Sequence, residues 1–381
     1  MQEMRRSLSL IFFWSLTGIL AFAEADSTAV NETKPVYNDD QIRVFPDNKV
    51  PVDSALFMQH SKALEFEIPL DFNSEVKRFI DFFATDWQPK LRQMLTLSEF
   101  YFPAYEAMLD KYDLPLELKY ISVIESGLNP HAASGAGAVG LWQFMPYTGK
   151  IYDLSIDRYM DERKHIEKST EAACRYFHDM SNSFDDWLVV IASYNCGPGN
   201  IRKAMRRSGG KTSFWEIYPY LPAQTRHYIP SFIAVAYLMN YASDYGILPA
   251  EVDKPAHEFA HVTLSNDISI DAVASILNMP KDDILDWNPA LKNGRLPMNR
   301  EDVNIYMPQD RCYQFLECED DIKKMSVELI PQVQEKVYVV RRGDSLPLIA
   351  RKMGCSVGEL KDWNNLRSSL IHPGQKLVLY L

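Results

Sequence analysis

Glu125 sits where an apolar residue belongs. Residues 114–126 read as a short helix, with Asp113 as its cap, Pro115 in its first turn and Gly127 as its stop. Leu114, Leu118 and Ile121 fall at i, i+4 and i+7, and the next position on that apolar stripe is Glu125. Burial disfavours an ionised carboxylate, and so does the negative end of the helix dipole, less than a turn away. Both effects raise the pKa, which suits a group that must give up a proton near neutral pH. After Gly127 the chain runs through small residues and glycines into Gly140-Leu141-Trp142-Gln143-Phe144-Met145-Pro146, which leaves room for a ligand. The competing reading is a helix-end Glu that only faces water. No acidic residue lies between Glu125 and Asp153, and Glu117 is about 12 Å away along a helix axis, too far for a glycosidase carboxylate pair. A lone acid fits a reaction in which the substrate supplies the second group.

Two other patterns mislead. Gly135-Ala136-Gly137-Ala138-Val139-Gly140 matches G-x-G-x-x-G, but a loop precedes it and Pro146 follows too soon for the helix a dinucleotide needs. His257-Glu258-Phe259-Ala260-His261 matches H-E-x-x-H, which binds zinc only on a helix. Here Pro255 precedes it and Val262-Thr263-Leu264 continues it as a strand, so the two imidazoles lie about 13 Å apart. No metal and no cofactor are expected.

The elements that position Glu125 follow from the rest of the pattern. Apolar residues make up 46% and aromatics 12%, enough for sizeable cores in two or three domains. The net charge of −11 argues against nucleic acid as a partner. Arg5 and Arg6 precede an apolar run, and Ala21-Phe22-Ala23 fits a signal-peptidase site, so residues 1–23 read as an export signal. No cysteine follows that run, so lipid attachment is unsupported. The five cysteines, Cys174, Cys196, Cys312, Cys318 and Cys355, cannot all pair in one chain and form no C-x-x-C. A Cys312–Cys318 bridge is left open.

Residues 24–65 are polar and read as an extended tether. From Asn73, a cap, the period is helical through residues 76–112, 169–180, 186–194, 201–207 and 225–241, giving an all-α domain over residues 66–248. Residues 257–308 then read β-α-α-β, and residues 337–381 repeat the pattern, with Asp286-Trp287-Asn288 and Asp362-Trp363-Asn364 at the same place in each unit. An acidic, proline-bearing linker over residues 309–336 is expected between them.

Four segments converge: Glu125-Ser126-Gly127; Gly140 to Pro146 as quoted above; Ser193-Tyr194-Asn195-Cys196-Gly197-Pro198-Gly199; and Thr225-Arg226-His227-Tyr228-Ile229-Pro230. In that order and spacing they resemble the catalytic domain of family 1 lytic transglycosylases, of the membrane-bound lytic murein transglycosylase D type. Tyr338-Val339-Val340, Gly343-Asp344-Ser345-Leu346, Asn364 and Pro373-Gly374-Gln375 resemble a LysM module, while the 257–308 unit lacks the Gly-Asp-Ser and Pro-Gly-Gln segments. The resemblance implies an all-α lysozyme-like (SLT) catalytic domain followed by small α+β (βααβ) LysM-type modules, in an exported protein of the periplasm or cell envelope. It implies cleavage of the β-1,4 bond between N-acetylmuramic acid and N-acetylglucosamine in peptidoglycan, leaving 1,6-anhydro-muramyl ends. Glu125 would be acid and base. Ser134 would hydrogen-bond the acetamido group, Gln143 would bind sugar, and Tyr194, Asn195 and Tyr228 would line the cleft. Gln143 and Asn195 can instead cap helix ends, and Trp142 and Phe144 read as core. Gln224 stands where the family usually has Glu. Two rival functions remain at this stage, a water-using muramidase on the same cleft and a non-catalytic wall-binding protein.

Overall fold

The computed structural model describes residues 13–14, 52, 54–157, 159–250, 258–264, 268–292, 303–329, 335–355, 357–364, 366 and 368–380. The export signal over residues 1–23, apart from residues 13–14, lies outside the described residues, as do His257 and most of the tether. Two compact units are present.

The first unit, residues 11–155 and 162–259, is helical over its described length apart from short bridges, the two-residue strand Phe13–Trp14 and the strand that begins at Glu258, with which Phe13–Trp14 pairs antiparallel. Its elements are α1 (Ser54–Ala63), α2 (Ser74–Ala84), α3 (Gln88–Lys111), a 3₁₀ turn (Leu116–Lys119), α4 (Tyr120–Ser126), α5 (Pro146–Ile151), α6 (Ile166–Ser181), α7 (Trp187–Cys196), α8 (Pro198–Arg207), α9 (Phe214–Ile217) and α10 (Ala223–Tyr241). Asn73 caps α2 by accepting from the Val76 amide, and Asp186 caps α7 by accepting from the Leu188 amide, both as their residue types predict. The α10 helix is apolar nearly all round, and every residue from Tyr228 to Leu238 is buried. A helix of that composition belongs inside a bundle, and it packs on α2, α4 and α7. Each large apolar side chain so buried contributes about 1.5–3 kcal/mol.

Three expectations are corrected. Asp113 does not cap the helix of Glu125: it takes φ 53°, and the Leu114 amide donates to the Leu109 carbonyl, so Asp113 closes the end of α3 instead. The predicted single helix is consequently a 3₁₀ turn followed by the seven-residue α4. Residues 54–63 are not tether. They form α1, because Phe57 packs its ring 4.6 Å from that of Tyr237 and His60 stacks 3.9 Å from Tyr241. Much of the supposed linker over residues 309–336 is likewise folded, as α11 to α14 below show.

The second unit, residues 260–381 joined by 156–161, contains two βααβ motifs. The first comprises β1 (Glu258–Leu264), α11 (Ile270–Ile276), α12 (Lys281–Trp287) and β2 (Val303–Pro308), with β1 and β2 neighbours in one sheet. It continues into α13 (Gln309–Glu317) and α14 (Glu319–Leu329), which bury Cys312, Phe315 and Ile322; the Ser269 amide donates to Ser326 Oγ. The acidic surface of this pair hides an apolar seam. Cys312 and Cys318 stand as separate thiols. The second motif comprises β3 (Glu335–Val339), α15 (Leu346–Met353), α16 (Val357–Trp363) and β4 (Lys376–Tyr380), with Val337 opposite Val378 in an antiparallel pair. The repeated Asn does one job twice. Asn288 Nδ2 donates to the carbonyls of Ile284 and Tyr306 and its Oδ1 accepts from the Tyr306 amide. Asn364 makes the same three bonds to Leu360 and Val378. Each amide thus ties the second helix of its motif to the returning strand.

The loop after α4 is the tightest place in the first unit. Gly140 has φ +88°, and a Cβ there would lie 1.9 Å from the Arg163 carbonyl oxygen, whereas a Cβ at Gly135 would meet nothing within 4 Å. Gly140→Ala should therefore cost about 2–4 kcal/mol and Gly135→Ala less than about 0.5, read as thermal unfolding midpoints of the two variants. Equal midpoints would show that the loop is not held against Arg163.

Candidate active site

Glu125 is the penultimate residue of α4, which Gly127 ends at φ 62° by donating its amide to the Val123 carbonyl. Leu114, Leu118 and Ile121 of its stripe are all buried, and Glu125 itself is half-buried. Tyr228, on α10, donates its hydroxyl to Glu125 Oε1 at 2.6 Å. Burial pushes the Glu125 carboxyl up to about 7, against the Tyr228 hydrogen bond, which pulls it down. No second carboxylate contributes to that shift. Glu117 is buried elsewhere, with its Oε1 accepting the Glu67 amide at 2.8 Å, and Asp153 is exposed and paired with Arg175 at 3.0 Å.

The segment after Gly127 is irregular backbone held by side chains. Ser122 and Ser126 of α4 both donate to the Leu141 carbonyl, at 3.1 and 2.8 Å. Arg163, buried, donates from Nη1 to the carbonyls of Gly137 and Phe144. Trp142 is fully buried and donates Nε1–H to Thr170 Oγ1, so it is core, as is Phe144. No helix follows a strand around Gly135, Gly137 and Gly140, and the dinucleotide pattern has no structural counterpart there. His261 lies on β1 against Tyr306, a strand rather than the helix a zinc-protease motif requires.

The remaining predicted residues fall as follows. Tyr194, near the end of α7, donates to the Trp142 carbonyl at 2.6 Å and stacks on Phe177. Burial holds its hydroxyl well above the ordinary tyrosine range, and the charge of Glu125 adds to that, which places the two in one electrostatic neighbourhood. Asn195 Oδ1 accepts from Thr225 Oγ1 at 2.9 Å, and its amide nitrogen makes no hydrogen bond among the described residues. Gln143, at φ 50°, spends its amide protons on the Ala132 and Gly140 carbonyls, which leaves its Oε1 as the group that can meet a ligand. Ser134 Oγ accepts the Ala138 amide across a turn, and its hydroxyl proton stays available to an acceptor. Glu125, Tyr228 and Tyr194 are thus brought together, Gln143 is tied to the same loop as Tyr194, and no contact joins Ser134 to Glu125. Sequence reasoning missed Arg163, Thr225, Ser122 and Ser126, whose bonds set the loop and Asn195 in place. Ser126, beside Glu125, and Thr225, first in the segment of Tyr228, carried a local signal; Arg163 and Ser122 carried none.

With this geometry in place, the domain families are decisive. Residues 103–216 match the Transglycosylase SLT domain, residues 258–324 the Lytic transglycosylase MltD, LysM-like domain, and residues 338–379 the LysM domain. The chain therefore carries an all-α, lysozyme-like SLT domain followed by LysM-type modules, and α13 with part of α14 belongs to the first of these. Among individual relatives it is similar to the membrane-bound lytic murein transglycosylase D of Escherichia coli K12, 32% identical over 278 residues, which cover 71% of this chain and 61% of that protein. It is also similar to the soluble lytic murein transglycosylase of the same strain, 28% identical over 158 residues, 37% of this chain and 24% of that one. The chain spans about three fifths of the length of the first of these relatives. The crystal structure of the 70 kDa soluble lytic transglycosylase from E. coli covers 48% of this chain and 33% of its own, at 21% identity and a TM-score of 0.34, too low to carry an argument.

The raised carboxyl has a consequence for stability. Between the ordinary pKa of 4.5 and the folded value of about 7, the unfolded chain releases the Glu125 proton while the folded domain keeps it, so stability falls across that window and levels off above it. Glu125→Gln has no proton to release. It should unfold at a higher temperature than the parent at pH 8 and at nearly the same temperature at pH 4; an equal gap at both would contradict the raised pKa. Tyr228→Phe removes the downward pull and should extend the upper edge of the window to higher pH, with its lower edge unchanged.

Proposed function

We propose that this protein is a peptidoglycan lytic transglycosylase that cleaves the MurNAc-β-1,4-GlcNAc bond and leaves 1,6-anhydro-MurNAc ends. The observation that carries the reading is Glu125: one carboxyl, pushed up to about 7, bonded to Tyr228, with no carboxylate partner. A carboxyl of that pKa keeps its proton in about half of the molecules at neutral pH and gives it up readily. In the first step Glu125 protonates the glycosidic oxygen and the C1–O bond breaks, while the oxygen of the muramyl 2-acetamido group bonds to C1 and takes up the positive charge. In the second, the 6-hydroxyl of the same sugar attacks C1, the acetamido oxygen leaves, and the Glu125 carboxylate takes the hydroxyl proton. No water enters, and Glu125 ends protonated as it began.

The other residues follow from their free valences. Tyr228 stabilises the Glu125 carboxylate formed between the two steps. Asn195 offers its amide protons and Gln143 its carbonyl oxygen to sugar, Ser134 its hydroxyl proton to the acetamido oxygen, and Tyr194 closes the cleft wall. The LysM-type modules hold the enzyme on glycan strands, and the export signal places it in the cell envelope. Among the described residues, no helix is long and apolar enough to cross a membrane.

The product decides between this reading and a muramidase. Glycans released from purified sacculi should end in anhydro-muramic acid, lighter by one water than a hydrolysed end and inert to borohydride, and Glu125→Gln should lower turnover more than about a hundredfold with folding intact. Products reducible at muramic acid would establish a hydrolase instead.

A further inference from the structure

Directly after the cleft-lining Tyr194 and Asn195, the chain turns at Gly197 into α8, a ten-residue helix whose two buried residues are Ile201 and Ala204. Its opposite face carries Arg202, Lys203, Arg206 and Arg207, all exposed. At 100° per residue these four fall within one arc of about 140°. None of them has an ion-pair partner among the described residues. Arg202 lies over the ring of Phe184 and Arg207 over that of Tyr220, which fixes the stems of two of the cations. Helix-dipole complementarity accounts for Arg206 and Arg207 in the last turn. It does not account for Arg202 and Lys203, and the pairs 202/206 and 203/207 place like charges one turn apart, which opposes helix formation. On a chain of net charge −11, four unpaired cations on one face form a local sink for anions.

We propose that the α8 face binds the carboxylates of the peptide stems that muramyl residues carry, so that the enzyme prefers peptide-bearing over peptide-free glycan. The proposal rests on the reading of the cleft as a peptidoglycan site. Position favours it: the first of the cations lies about 6 Å along the helix from Pro198, which immediately follows the site turn at Gly197. Guanidinium groups suit carboxylates because they offer paired donors, and three of the four residues are arginine.

The test measures binding in the Glu125→Gln protein, where no cleavage intervenes, with the parent assayed in parallel for activity. The ligands are one glycan oligosaccharide with its stem peptides and the same oligosaccharide stripped by an amidase. The peptide-bearing form should bind at least about fivefold more tightly at low salt, and the preference should fall below about twofold at high salt, as screened exposed charges require. Adding Arg202→Gln, Lys203→Gln, Arg206→Gln and Arg207→Gln together should abolish the preference while leaving affinity for stripped glycan within about twofold. Replacing the three arginines by lysine controls for folding and should retain a salt-sensitive preference. An equal preference with and without the four cations overturns the proposal, as does a variant that loses sedimentation with phosphatidylglycerol vesicles but keeps its stem preference. A parent that binds both ligands but cleaves neither contradicts the transglycosylase reading and leaves the binding comparison intact.

Discussion

The site depends on a carboxyl group kept where water would not keep it. An apolar stripe on α4 leads straight into Glu125, so the residue takes a half-buried position that the stripe itself would assign to a leucine or isoleucine. Desolvation then opposes ionisation, and Tyr228 is the one hydrogen-bonding hydroxyl that moderates it. The two effects are opposed by design of the packing: burial alone would hold the proton too tightly, and a fully hydrated carboxyl would have lost it at neutral pH. Tyr228 can meet Glu125 only because α10 runs through the interior of the domain against α4.

The second constraint is the loop that forms the floor of the site. Its backbone has little regular pairing of its own, and buried backbone polar groups need partners. They are supplied from four directions, by Ser122 and Ser126, by Arg163, by Tyr194 and by Gln143. Two of these bonds, those of Tyr194 and Gln143, also fix side chains expected at the site. Gln143 shows the consequence most clearly, because holding the loop consumes its donors and leaves only its carbonyl oxygen uncommitted. The expected helix cap is replaced by a brace on two loop carbonyls.

Local chemistry made part of this legible. Gly127, Asn73 and Asp186 stop or cap helices by bonds that involve their own neighbours, and the βααβ repeat shows itself through the two Asp-Trp-Asn segments. What was hidden depends on distant partners. Asp113 looked like a helix cap, but the end of α3 claimed it first. The α1 helix looked like tether because its composition is mixed, and only Tyr237 and Tyr241, nearly two hundred residues on, give Phe57 and His60 something to pack against. The acid-rich α13 and α14 concealed Phe315 and Ile322 in the same way. Arg163 carries no motif at all; its importance is that its carbonyl and guanidinium meet Gly140, Gly137 and Phe144. Clefts are assembled from such long-range contacts, so the meeting of Glu125 with Tyr228 was within reach of the resemblance while the supports of the loop were not.

The protonation state of Glu125 is the claim from which the chemistry follows, and it can be observed without substrate. Carbon-13 NMR of protein labelled at the glutamate side-chain carboxyls, titrated with pH, should show a resonance with a midpoint near 7 that is absent from the Glu125→Gln spectrum. If the resonance lost in Glu125→Gln instead titrates near the ordinary carboxyl value of 4.5, Glu125 is ionised at neutral pH and the single-acid account does not hold.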